Sequence, residues 1–171
     1  HTILPLAVGI NETDQGVITY LRDYCKRILL PVYAFYLKGG DRNILVDTGL
    51  EQFVIPPGAE QSCGFSLLEF EEALDRVGLR PETVEIIIHT HLHNDHCEND
   101  AKCPNAEIIV QRKELEFMRH PHPVDHRYHP AILDGLHVVP APGDAAIPDR
   151  IAATLPPAHT VAGQSVAVKT A

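Results

Sequence analysis

Thr90-His91-Leu92-His93-Asn94-Asp95-His96 follows directly on the apolar run Val84–His89, which reads as a short buried strand. In an extended segment, side chains two residues apart point the same way, so His91 and His93 can grip one ion. Asp95 and His96 come next, on the turn, and can face a second ion close by. Neutral imidazoles and a carboxylate suit Zn²⁺, Fe²⁺ or Mn²⁺. The pattern H-x-H-x-D-H fits one register only, because a start at His89 would require Asp where His93 stands. His89 therefore reads as a strand-end histidine with a structural hydrogen bond. A metal site needs further ligands from elsewhere. The best candidate is His159, in Pro156-Pro157-Ala158-His159-Thr160, a loop between two expected strands.

Outward from this segment, strands and helices alternate. Val32–Lys38 and Asn43–Asp47 are β-rich runs around Gly39-Gly40-Asp41-Arg42, which reads as a hairpin. Ser66-Leu-Leu-Glu69 has the form of a capping box, with Leu67, Phe70, Leu74 and Val77 on one helical face and Gly78 as terminator. Ala106–Gln111 is a further strand and Arg112–Arg119 a helix. Past Arg119 the texture changes: eight of the 14 prolines lie between Pro121 and Pro157. Short strands are expected there at His137–Val139, Arg150–Leu155 and Ser165–Lys169. The class is α/β or α+β.

Composition narrows the function. The 171 residues suit one domain. A net charge of −9 and a pI near 5.6 argue against nucleic acid or an anionic membrane as partner. The longest apolar stretch, Ile28–Leu37, is broken by Pro31 and too short to span a bilayer. Cys25, Cys63, Cys97 and Cys103 form no C-x-x-C pair and read as free thiols in a reducing, cytoplasmic setting. His1–Ile10 lacks a basic n-region and is a poor signal peptide. A second histidine window holds His120, His122, His126 and His129 among prolines. It admits three readings: a metal site, a lid loop over the main site, or a pH-sensitive contact.

Three segments together resemble the metallo-β-lactamase superfamily. They are Asn43-Ile-Leu-Val-Asp47-Thr48-Gly49, the Thr90–His96 signature, and Pro157-Ala-His159-Thr-Val-Ala-Gly163-Gln164-Ser165, in that order. Ala158 stands where the third motif usually has Gly. Pro31-Val-Tyr-Ala-Phe-Tyr-Leu and Ile108-Ile-Val-Gln-Arg-Lys-Glu-Leu-Glu are most similar to its N-acyl homoserine lactonase-like branch. The resemblance implies an αββα sandwich with two divalent ions at one edge of the sheets, zinc ahead of iron or manganese. It implies His91, His93 and His159 on the first ion, and Asp95 and His96 on the second. Asp47 would orient a ligand histidine.

The implied activity is that of a bacterial, quorum-quenching type of hydrolase. Metal-bound hydroxide would attack an ester or lactone carbonyl, with Asp95 carrying the proton to the leaving atom. The partner is then a small-molecule substrate; an oligomer is possible and the sequence does not decide it. Two other readings compete: a non-catalytic or incomplete metal-binding member of the fold, and a di-iron redox protein. The superfamily usually supplies a bridging Asp after the third motif and a later His. Between Thr160 and Ala171 there is no Asp, Glu or His. The expectation is one domain over 1–171 that is incomplete at its C-terminal side.

Overall fold

In the computed structural model, which describes residues 1–156 and 159–170, the strand Ile86-Ile87-Ile88 has no exposed surface at all. It is β4, in the interior of a six-stranded sheet ordered β1 (Thr2–Asp14), β2 (Arg27–Lys38), β3 (Ile44–Val46), β4 (Ile86–Ile88), β5 (Glu107–Gln111) and β6 (Val138–Ala141). The first three strands pair antiparallel; β3 through β6 pair parallel. A second sheet holds β7 (Ala145–Ile147), β8 (Ile151–Thr154) and β9 (Ser165–Val168), all antiparallel.

The pleat divides the large sheet between two cores. Leu45, Ile87, Ile108 and Val110 point to a helical layer, where they meet Phe70 and Leu74 of α3 (Phe70–Arg76) and Met118 of α5 (Arg112–Arg119). Ile44, Val46, Ile86, Ile88 and Ile109 point the other way, against Ile147, Ile151 and Ala153 of the second sheet. Parallel strands covered on both faces read as continuous apolar runs, which is why Ile86–Ile88 shows no alternation. Helix, sheet and sheet are thus the layers present among the described residues. They match the first three layers of the αββα sandwich.

Two expectations need correction. Ser66 and Glu69 do not form a capping box. Glu69 is itself the N-cap of α3, with no side-chain cap bond. The preceding amides are engaged elsewhere: Leu67 N–H donates to Glu60 Oε1 (2.9 Å) and Leu68 N–H to the Ala7 carbonyl (3.1 Å). The segment therefore runs alongside β1 and drops Leu67 into a small core with Ile10 and Ala59 of α2 (Ala59–Cys63). Second, Thr2–Asp14 is a 13-residue strand that the sequence does not announce, and β7 is likewise unannounced. The helix over Arg112–Arg119 matches its expected bounds.

Candidate metal centre

Because β3, β4 and β5 run parallel in register, with Val46 beside Ile88 and Ile88 beside Ile109, their C-terminal ends open along one edge. Ligands gather at such edges, where the chain leaves the sheet and side chains are free of the ladder. Asp47 leaves β3, His89–His96 leaves β4, and Gln111 and Glu114 follow at the end of β5. Asp47 adopts φ +57°, turning its carboxylate back toward β4. Gly49 follows at φ +77°, and a Cβ there would stand 2.8 Å from the Val8 carbonyl oxygen. The Asp-Thr-Gly order is thus a steric requirement of the turn.

The imidazoles of His91, His93 and His159 converge. Each can offer one nitrogen such that all three lie within 4.8 Å of one another. Ring centroids are 4.6 Å apart for His91–His93, 4.5 Å for His91–His159 and 5.1 Å for His93–His159. His159 comes from the second sheet, on the loop between β8 and β9. Pro157 and Ala158 lie outside the described residues, so the Ala158 departure has no structural account. Gln164 draws the loop in: its N–H donates to the Thr90 carbonyl and its Nε2 to the His89 carbonyl, both at 2.7 Å.

The hydrogen bonds around Asp47 fix the ring tautomers. Asp47 accepts from Thr90 N–H (2.8 Å), Thr90 Oγ1–H (2.7 Å) and His96 Nδ1–H (2.8 Å). The Thr90 hydroxyl has one proton, spent on Asp47, so toward His91 Nδ1 at 3.0 Å it acts as acceptor. His91 Nδ1 then carries the hydrogen, and Nε2 keeps its lone pair. That Nε2 is buried with no hydrogen-bond partner among the described residues. A buried nitrogen left bare costs free energy unless something binds it. A cation fits this donor set, since metal-binding histidines commonly anchor the second ring nitrogen on a carboxylate or hydroxyl. Burial, then the neighbouring His96, pushes the His91 pKa down to about 2; burial and then Arg127 bring His93 to about 4. Both rings are held neutral, the form that binds a cation.

Asp95 and His96 sit side by side on α4 (Asn94–Cys97), with Asp95 Oδ1 3.9 Å from His96 Nε2. Asn11 Nδ2 donates to Asp95 Oδ2 at 3.0 Å, and Oδ1 accepts no hydrogen bond among the described residues. The His96 ring lies 4.0 Å from that of His91, so this second pair adjoins the first cluster. Burial alone would lower the His96 pKa, but the Asp47 hydrogen bond and charge outweigh it and raise the pKa above the ordinary value.

His89 is fully buried and bonds Asp100 Oδ2 (2.8 Å) and Asp47 Oδ1 (3.4 Å), the structural histidine expected. Burial opposes its charge, yet the Asp100 charge and hydrogen bond, with those of Asp47, lift its pKa to about 10. The imidazolium in turn holds the Asp47 carboxyl far below its usual range against the opposing effect of burial.

His120, His122, His126 and His129 are exposed on the 120–129 loop and contribute nothing to the clustered donors among the described residues. The loop does flank the site. Tyr128 is buried beneath it, its ring 4.8 Å from that of His93, and Asp125 Oδ2 lies 4.0 Å from His93 Nε2. Sequence reasoning misses Asn11, Thr90, Tyr128 and Glu114. For Glu114 a signal exists: it falls one helical turn before Met118, a carboxylate on the apolar face of α5.

This fold and donor arrangement define a metallo-β-lactamase-type protein. The sequence matches the metallo-beta-lactamase superfamily over residues 27–169, and the chain belongs to that superfamily. It is 30% identical over 157 residues to an N-acyl homoserine lactonase of a Bacillus species, covering 82% of this chain and 59% of that protein. The chain thus spans about three fifths of the length of the Bacillus lactonases it matches. Among solved structures it resembles a mutant of Bacillus thuringiensis AiiA with N-decanoyl-L-homoserine at the active site. The TM-score is 0.77 at 27% identity, over 96% of this chain and 68% of that one. An N-acyl homoserine lactone hydrolase with N-hexanoyl-L-homoserine at its catalytic metal centre gives 0.78 at 26%, over 98% and 70%.

Proposed function

We propose that this chain carries the metal-binding part of a hydrolase that opens ester or lactone bonds in acyl substrates, N-acyl homoserine lactones first among them. The observation that carries the reading is the bare, buried His91 Nε2 converging with His93 and His159. In this reading His91, His93 and His159 hold one divalent ion, zinc ahead of iron or manganese, and Asp95 with His96 faces a second. Such ions, when bound, supply Lewis-acid activation of water and of the acyl carbonyl.

The chain's own residues do the rest. Asp47 holds His96 directly, and His91 through Thr90, with Nε2 facing inward. Asn11 pins Asp95 Oδ2, so Oδ1 is the oxygen that takes the proton from attacking water and returns it to the leaving alkoxide. A lactone leaves as a strongly basic alkoxide, so that proton return matters. Beside Asp95 and His96 lies an open groove of about 420 Å³ walled by Leu30, Val32, Tyr33 and Phe35. Its apolar wall supports a substrate with an acyl tail. Four free thiols fit a reducing compartment such as the cytoplasm. We also read residues 1–171 as one domain.

The test joins metal analysis to a hydrolysis panel of acyl-homoserine lactones, thioesters and phosphoesters. Metal-dependent lactone turnover that His93→Ala abolishes is the expected result. One tight ion and no turnover on any substrate would favour a non-catalytic metal-binding member instead.

A further inference from the structure

Glu114 has no exposed surface, and its carboxylate faces no cationic side chain among the described residues. It accepts three hydrogen bonds instead. Oε1 takes Leu92 N–H (3.2 Å) and Tyr128 O–H (2.9 Å); Oε2 takes Ala162 N–H (3.2 Å). Each donor belongs to a different segment of the candidate centre. Leu92 stands between His91 and His93. Ala162 is on the loop that delivers His159 from the second sheet. Tyr128 packs its ring edge against His93.

Burying a carboxylate among apolar neighbours is costly unless its oxygens are satisfied. An apolar side chain would suit the packing at this position, as Met118 does one turn later. The carboxylate can do what an apolar group cannot, which is accept from three segments at once. We propose that Glu114 is a positioning residue that sets the spacing of His91, His93 and His159 for a divalent cation, by tying together the segments that carry and buttress them. This inference rests on the metal reading above. Gln111 supports the geometry from the same end of β5: its Nε2 donates to Gln164 Oε1 at 2.7 Å, securing the His159 loop at a second point.

Glu114→Gln preserves shape but replaces one acceptor oxygen by an NH₂ group. If the amide nitrogen faces Ala162, two donors oppose each other; if it is flipped, Leu92 and Tyr128 lose their acceptor. The experiment measures zinc affinity by competition with a chromophoric chelator, together with the cobalt-substituted absorption band and the melting temperature of the metal-free protein. Leu115→Ala is the control, since Leu115 packs on the same helix-side core and lines a cavity with Leu133, Leu136 and Val138, none of them a proposed donor. Glu114→Gln is expected to weaken zinc about tenfold or more and to shift the cobalt band. Leu115→Ala should melt lower yet bind zinc like the wild type.

The inference is overturned if Glu114→Gln binds zinc within about twofold of the wild type, or if Leu115→Ala weakens zinc equally. Should Glu114→Gln fail to fold, Tyr128→Phe carries the test. It removes one of the three bonds and keeps the ring against His93, so a measurable but smaller loss is expected and unchanged affinity overturns the proposal. A wild-type chain that binds no zinc overturns the metal reading and this inference together. Zinc binding that is indifferent to both variants overturns this inference alone.

Discussion

His91, His93, Asp95 and His96, the donors proposed above, stand in one short segment, as a cation site that takes several ligands from one turn would require. Asp47 and His159 become recognisable through motif order. Asn11 and Glu114 could not be paired with their targets, because the contacts join positions 84 residues apart for Asn11–Asp95 and 48 apart for Glu114–Ala162. The cysteines show how burial separates chemically equal residues. Cys25 is exposed and Cys63 partly so, whereas Cys97 and Cys103 are buried. Burial, and then the nearby Asp100 charge, pushes the Cys103 thiol up to about 12. Between the unfolded thiol pKa and that value the folded chain keeps a proton the unfolded chain has lost, so stability falls as pH rises through this range. Denaturant midpoints from pH 8 to 11 should show the decline, and Cys103→Ala should make it shallower. An equal slope in the variant would assign the loss to other groups.

Secondary elements reveal themselves through pattern, and β1 breaks its own. Pro5 and Gly9 argue against a strand, yet β1 lies at the edge of the six-stranded sheet, where a missing N–H is tolerated. Its register with β2 slips between Ala7 and Ile10, an irregularity that absorbs Gly9. The Ser66–Glu69 segment errs in the opposite sense: a good capping signal is overruled because its amides bond to Glu60 and to β1. Ser66 is exposed and caps nothing. Ser66→Ala should therefore shift stability by less than about 0.5 kcal/mol, against the ~1 kcal/mol typical of a lost cap. Chemical denaturation resolves the two; a loss near the larger value would show that the cap forms in solution.

At the level of the whole molecule, the class follows from alternation of strands and helices and the layer order from the family resemblance, but the convergence of the two sheets on one centre follows from neither. That convergence depends on the parallel ends of β3–β5 and on Gln164 and Glu114 drawing in the β8–β9 loop. An ion held by His91, His93 and His159 would bridge the sheets and stabilise only the folded state. Zinc at about 100 times its Kd should add roughly 2.7 kcal/mol, and a chelator should remove it. Calorimetry reads the shift; an unchanged melting temperature with bound zinc would mean that the ion sits outside this bridge. Each proposed donor stands beyond a strand end, on a loop or on the single-turn helix α4, while Ile86–Ile88 beneath is packed on both faces. The 15–26 connection, which holds the short helix Gln15–Ile18, and the 120–129 loop line a common cavity beside this edge without entering the ladder. In the proposed hydrolase, substrate range can thus drift through evolution, or be reshaped by loop grafting, under far weaker selection than that acting on the proposed donors themselves.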